Sequence, residues 1–117
     1  MNAAFITHPT VSWVGDRYPW ALTAELVYVS PILRELGLPR HEPGVLRIPA
    51  GYRTDYASVP RLPVVYLWTG GRAVLPSIVH DHLYDCWTDR ITRKIADQVF
   101  LEAMTAEMQG ALDREIG

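Results

Sequence analysis

Apolar and polar positions alternate along the front of this chain and change to a helical spacing towards its end. In "ALTAELVYVS", at 21–30, Leu22, Ala24, Leu26 and Tyr28 recur at every second position and predict a strand with those four on one face. "VLRI", at 45–48, predicts a second, short strand that Pro49 and Gly51 break, and the chain then reads as extended from Tyr52 to Asp55. Between the two, "PILRELGLPRHEPG" reads as a short turn of helix or an excursion, closed by Gly37, Pro39 and Pro43. After a turn at "TGGR", Val79, Leu83, Cys86 and Trp87 fall at helical spacing. They predict a helix over about 73–87, with Pro76 tolerable only in its first turn. A second helix is predicted from an N-cap at Thr92 to about Met108, with Ile95, Val99, Phe100, Ala103 and Met104 as its buried stripe and Gly110 as its end. The link between the helices is short, so they are expected to lie antiparallel as a hairpin.

The punctuation of the chain agrees with that division. Eight of the nine prolines lie in the first 70 residues, which places turn-rich, extended structure in front of the helices. The expectation is one α+β domain over residues 1–117, with short antiparallel strands in the N-terminal half and an antiparallel two-helix hairpin in the C-terminal half. Hydrophobic residues make up 49% of the chain and charged residues 21%, a composition that forms a core rather than a disordered chain. The net charge of −2 comes without any basic block and gives no support to nucleic-acid binding. Cys86 is the single cysteine, so an internal disulfide and a zinc–thiolate framework are excluded. The opening "MNAAFITHPT" does not read as a secretory signal, and no apolar run approaches the ~20 residues of a transmembrane segment.

Chemistry enters at "SIVHDHLYD", residues 77–85, where histidines and carboxylates interrupt an apolar helix. His80 and Tyr84 are four residues apart and stack on one face, and Asp81 lies about 100° around from His80. Asp97 interrupts the apolar stripe of the second helix, and in an antiparallel hairpin it can meet His80. A carboxylate that accepts from one imidazole nitrogen fixes the tautomer, stabilises the imidazolium and leaves the other nitrogen to act as base on water. The competing reading is a buried polar pair that fixes the register of the helices. Asp81 is free in this arrangement to offer oxygen to a hard cation such as calcium. Asp55 is either a further ligand to that ion, a partner for Arg61, Arg72 or Arg90, or, with Thr54, the cap of a turn. His82 and Asp85 read as solvated. Ser58 lacks the surroundings of a nucleophile elbow. Trp13, Tyr18 and Trp20 read as a packed or interface surface, with an acyl-chain or glycan groove as the alternative. His8 and His41 stand at no metal-ligand spacing.

Three segments together carry a resemblance: "PAGYRTDYASVP" at 49–60, "HDHLY" at 80–84 and "ADQVFLEAM" at 96–104. In this order they resemble a family of tailed phages and prophages, domain-of-unknown-function family 1353, which implies a phage or prophage origin and supplies no activity. The last two segments are also similar to the catalytic hairpin of secreted bacterial and fungal calcium-dependent phospholipases. That similarity implies His80 as the base, Asp97 as its partner, Tyr84 as a supporting hydroxyl and Asp81 as a calcium ligand. The paired cysteines of the animal enzymes are absent, and "TGGR" stands nearer to His80 than a calcium loop is expected to.

The function expected is therefore a hydrolase-like site acting on a lipid ester or cell-wall bond during infection, with calcium as its metal. The alternative is a non-enzymatic, tail-associated virion protein, structural or adaptor, in which the same residues are a buried polar lock. A third reading is an early protein that binds a bacterial target. The partners expected are other virion proteins or a host envelope component, and the location is the host cytoplasm as made, with incorporation into the virion tail. An open cleft over His80 favours the enzyme, and a fully covered His80 favours the lock.

Overall fold

The computed structural model describes residues 2–15, 17, 19–54 and 74–116. Six strands and three helices follow one another there, in the expected α+β order. The strands are β1 (Ala4–Phe5), β2 (Val11–Trp13), β3 (Trp20–Leu22), β4 (Leu26–Val29), β5 (Val45–Ile48) and β6 (Arg53–Thr54). The helices are α1 (Pro31–Glu35), α2 (Val74–Cys86) and α3 (Arg93–Ile116).

The strands form two antiparallel sheets of three, ordered β1-β4-β5 and β2-β3-β6. The expected single strand over 21–30 is thus two strands in different sheets. The chain turns at Thr23, whose amide and hydroxyl both donate to the Thr10 carbonyl, each at 3.0 Å. Those bonds satisfy the backbone where it leaves the first ladder, and Ala24 faces solvent instead of the core. Leu22, Leu26 and Tyr28 are buried as the alternation requires. β5 covers the expected residues and pairs with β4 from Leu26↔Ile48 to Val29↔Val45. β1 and β2 have only two and three residues, too few to show a period.

α1 forms where the sequence places a helical turn. Ser30 is its N-cap and accepts from the Leu33 amide, Pro31 occupies its first turn, and Gly37 at φ 70° lets the chain leave it. α2 begins within a residue of the expected position. Val79, Leu83 and Trp87 are buried with Ile78, whereas Cys86 is exposed, contrary to its placement in the stripe. Thr92 caps α3, accepting from the Ile95 amide at 3.2 Å. α3 does not stop at Gly110 and runs on to Ile116. A glycine inside a helix costs only about 1 kcal/mol relative to alanine, and the Gln109 amide donating to Asp113 spans the position one turn on.

The core lies between the two sheets' inner residues and the helical hairpin. Phe5, Tyr28, Leu33, Leu46, Ile48, Ile78, Leu83 and Val99 belong to one continuous cluster. α3 touches α2, β1 and α1, so its polar groups must suit three neighbours. Glu102 does so. One carboxylate oxygen accepts from the Tyr28 hydroxyl at 2.7 Å and the other from the Ile32 amide in the first turn of α1 at 3.1 Å. The anion thereby satisfies an otherwise unpaired helix amide and a phenol that burial and Glu102 itself hold un-ionised. Further along α3, buried Glu107 faces His8 at 3.5 Å.

Glu102→Ala is expected to lower stability to urea by about 2 kcal/mol, because it removes two bonds to a charged acceptor. Leu101→Ala, its exposed neighbour, is expected to change it by less than ~0.5 kcal/mol. Equal effects of the two substitutions would refute the tie.

Candidate functional site

The antiparallel packing of α2 on α3 sets the polar cluster. His80 Nε2 and Asp97 Oδ1 are 2.7 Å apart, and the Tyr84 hydroxyl donates to the same oxygen at 3.2 Å. Tyr84 stands one turn after His80, so their rings meet at 4.3 Å between centroids, and Phe100 of α3 closes on the imidazole at 5.2 Å. A carboxylate oxygen accepts only, so Nε2 carries the proton in this pair and Nδ1 is the basic nitrogen of the neutral ring. The three residues expected to converge across the hairpin do converge.

Their environments differ sharply. The His80 side chain is 7% exposed and that of Asp97 is 64% exposed. The carboxylate keeps much of its hydration while its inward oxygen holds the ring, so the cost of burying an ion is largely avoided. A water-facing acid thus orients a covered imidazole.

Asp81 lies on the neighbouring face and accepts a hydrogen bond from the Thr54 hydroxyl of β6. Thr54 is 2% exposed and is carried there by the pairing of β6 with β3, Trp20 opposite Thr54. Within this segment the Tyr52 hydroxyl donates to Asp85 at 2.7 Å. Two strand residues span about 6.7 Å and four helical residues about 6 Å, so Tyr52 and Thr54 match Asp85 and Asp81. Two hydroxyl–carboxylate bonds thus clasp the segment ending in β6 along α2.

This clasp corrects the expectation for His82 and adds a partner to two other residues. Thr54 bonds a carboxylate 27 residues away, in addition to any role in its turn. His82 is half-buried rather than solvated: its ring lies edge-on to Tyr52 at 5.2 Å, and its buried Nδ1 has no hydrogen-bond partner among the described residues. Asp85 is exposed, as expected, and also accepts from Tyr52. Burial holds the His82 pKa below its ordinary 6.5, against the opposing pull of Asp85. It also raises the Tyr52 phenol, helped by Asp85, and raises the Cys86 thiol, again with Asp85, which leaves little thiolate for chemistry.

Calcium takes six to eight oxygen ligands. Among the described residues no three histidines, cysteines or carboxylates group to hold a metal, and Asp81 brings one carboxylate with one oxygen already bonded to Thr54. The described residues therefore do not compose a calcium site by themselves. Asp55, the second expected ligand, lies outside the described residues, as do Ser58, Arg61, Arg72, Tyr18 and the "TGGR" turn. Trp13 and Trp20 pair edge-on across β2 and β3 at 5.2 Å, with Trp13 largely exposed.

Sequence reasoning missed the bond of Thr54 to Asp81 and the part played by Glu102. Thr54 carried one signal, its two-residue spacing from Tyr52 in an extended segment, which puts both hydroxyls on one side. Glu102 carried none, because its partners are 70 and 74 positions away.

The chain is an α+β protein whose polar side chains converge on one helical hairpin. It belongs to the family described as "Protein of unknown function (DUF1353)", whose model matches residues 20–117. No curated protein and no solved structure matches it.

The shifted His82 gives a pH signature. The unfolded chain takes up the proton near pH 6.5 and the folded chain only at lower pH. Stability is unaffected above that value, declines as pH falls below it, and stops declining through this group once folded His82 is protonated. His82→Phe, which keeps a ring against Tyr52, is expected to flatten the fall in melting temperature between pH 7 and pH 5. Identical profiles for the variant and the parent would contradict this assignment.

Proposed function

We propose that this is a phage or prophage protein that hydrolyses an ester or amide, with a lipid ester or a cell-wall bond as the substrate class. The observation that carries the reading is Asp97 Oδ1 accepting from both His80 Nε2 and the Tyr84 hydroxyl. The phage setting rests on the family resemblance of the three sequence segments and on nothing in the geometry.

In this reading His80 Nδ1 takes a proton from water as the water oxygen bonds to the carbonyl carbon. The proton then passes to the departing oxygen or nitrogen as its bond to that carbon breaks. Asp97 holds the ring and offsets the charge of the imidazolium, and Tyr84 fixes the carboxylate. No step is assigned to calcium. Calcium binding remains a proposal resting on Asp81, and its test is calorimetric titration of the parent and of Asp81→Ala.

A second reading has one observation in its favour, the near-complete burial of His80. There the same three residues are a polar lock in a virion component or adaptor, fixing the register of α2 on α3.

Purified parent, His80→Gln and Asp97→Asn proteins separate the two. The probes are short-chain nitrophenyl esters, phosphatidylcholine vesicles with and without calcium, and isolated peptidoglycan. The hydrolase reading expects turnover by the parent, a loss of about 100-fold or more in His80→Gln, and melting temperatures that remain close. A parent inert on every probe, with both variants strongly destabilised, would overturn it in favour of the lock.

A further inference from the structure

Away from the hairpin cluster, the arginines differ in what they face. Arg47 is matched by carboxylates, its guanidinium bonding both oxygens of Glu42 at 2.9 and 3.1 Å and Glu25 at 3.3 Å. Arg40 and Arg90 have no carboxylate partner among the described residues. Both face a cavity of about 530 Å³ between two turns, lined also by Leu38, Pro39, His41 and Asp89. In a chain of net charge −2, this is a local surplus of positive charge.

The walls of the cavity are built rather than loose. On one side the Leu38 amide donates to Leu33, Glu42 to Pro39 and Gly44 to Leu38, at 3.0, 3.1 and 2.8 Å, which knits the turn between α1 and β5. On the other side the Arg90 amide donates to the Trp87 carbonyl at 2.9 Å, and the Arg90 guanidinium lies over the Trp87 ring, 5.2 Å from its centroid. Trp87 is itself buried in the core, so it gives that guanidinium a fixed seat and reduces the entropy lost on binding.

We infer that this cavity binds a phosphate group, free or carried by a small phosphorylated molecule. Two arginines that line the cavity from separate turns suit a tetrahedral group with several acceptor oxygens, whereas a planar carboxylate is already satisfied by one arginine fork. Asp89 in the wall repels a polyanion such as a nucleic-acid strand. The same carboxylate accepts from a hydroxyl on the molecule that bears the phosphate. The site is independent of His80 and Asp97 and does not depend on the hydrolase reading.

The test is a titration of the full chain with inorganic phosphate and with glycerol 3-phosphate at low ionic strength, followed by amide chemical shifts against a chloride control. Saturable shifts are expected at the amides of residues 38, 40, 41 and 87–90. Tighter binding of glycerol 3-phosphate identifies a phosphorylated molecule as the ligand, and equal binding identifies the free anion. Arg40→Gln and Arg90→Gln are each expected to weaken binding about tenfold, a change of about 1.4 kcal/mol, and Lys94→Gln, an exposed cation elsewhere, to leave it unchanged. Shifts no larger than those of chloride, or equal weakening by all three substitutions, would overturn the inference.

Discussion

The antiparallel contact of α2 with α3 is the constraint around which the described structure is arranged. It buries Ile78, Val79 and Leu83 of one helix with Ala96, Val99 and Ala103 of the other in the same core as both sheets. It also fixes the register in which His80 and Tyr84 reach a single oxygen of Asp97. A shift of one residue along either helix turns a side chain by about 100°, which would separate that trio and leave a buried imidazole without its acceptor. Apolar packing supplies the attraction, and the polar trio selects one alignment among those that packing alone tolerates.

Carboxylates then attach the remaining elements to that hairpin. Asp81 and Asp85 of α2 hold Thr54 and Tyr52 through neutral hydroxyls, and Glu102 of α3 holds Tyr28 and the start of α1. These ties join a charged acceptor to neutral donors, so one ion at most is desolvated per tie. Asp97 follows the same pattern from the surface and keeps its hydration while orienting a covered ring. The hairpin cluster and the arginine cavity therefore differ in kind: in the first the polar groups satisfy one another, and in the second two guanidiniums have no acceptor partner among the described residues.

The helices were legible because their apolar spacing persists over several turns and because Thr92 and Ser30 are strong caps. The meeting of His80 with Asp97 was legible for the same reason, since a short link leaves few ways to pair two such helices. The sheets were less so. Alternation correctly buried Leu22, Leu26 and Tyr28, yet it runs unbroken across Thr23, where a bond to Thr10 turns the chain into another sheet. Gly110 carries a stop signal that α3 overrides. The role of Thr54 and the partial burial of His82 depend on how β6 lies along α2, and local sequence carries no measure of that distance.

Asp97 fixes His80 as the tautomer protonated on Nε2, with Nδ1 as the basic nitrogen. Nitrogen-15 chemical shifts of the imidazole, recorded near neutral pH on the full chain and on Asp97→Asn, test it directly. A protonated Nε2 and an unprotonated Nδ1 are expected in the parent, with the preference weakened in the variant. A parent His80 protonated on Nδ1, or a tautomer indifferent to the loss of the carboxylate, would contradict it.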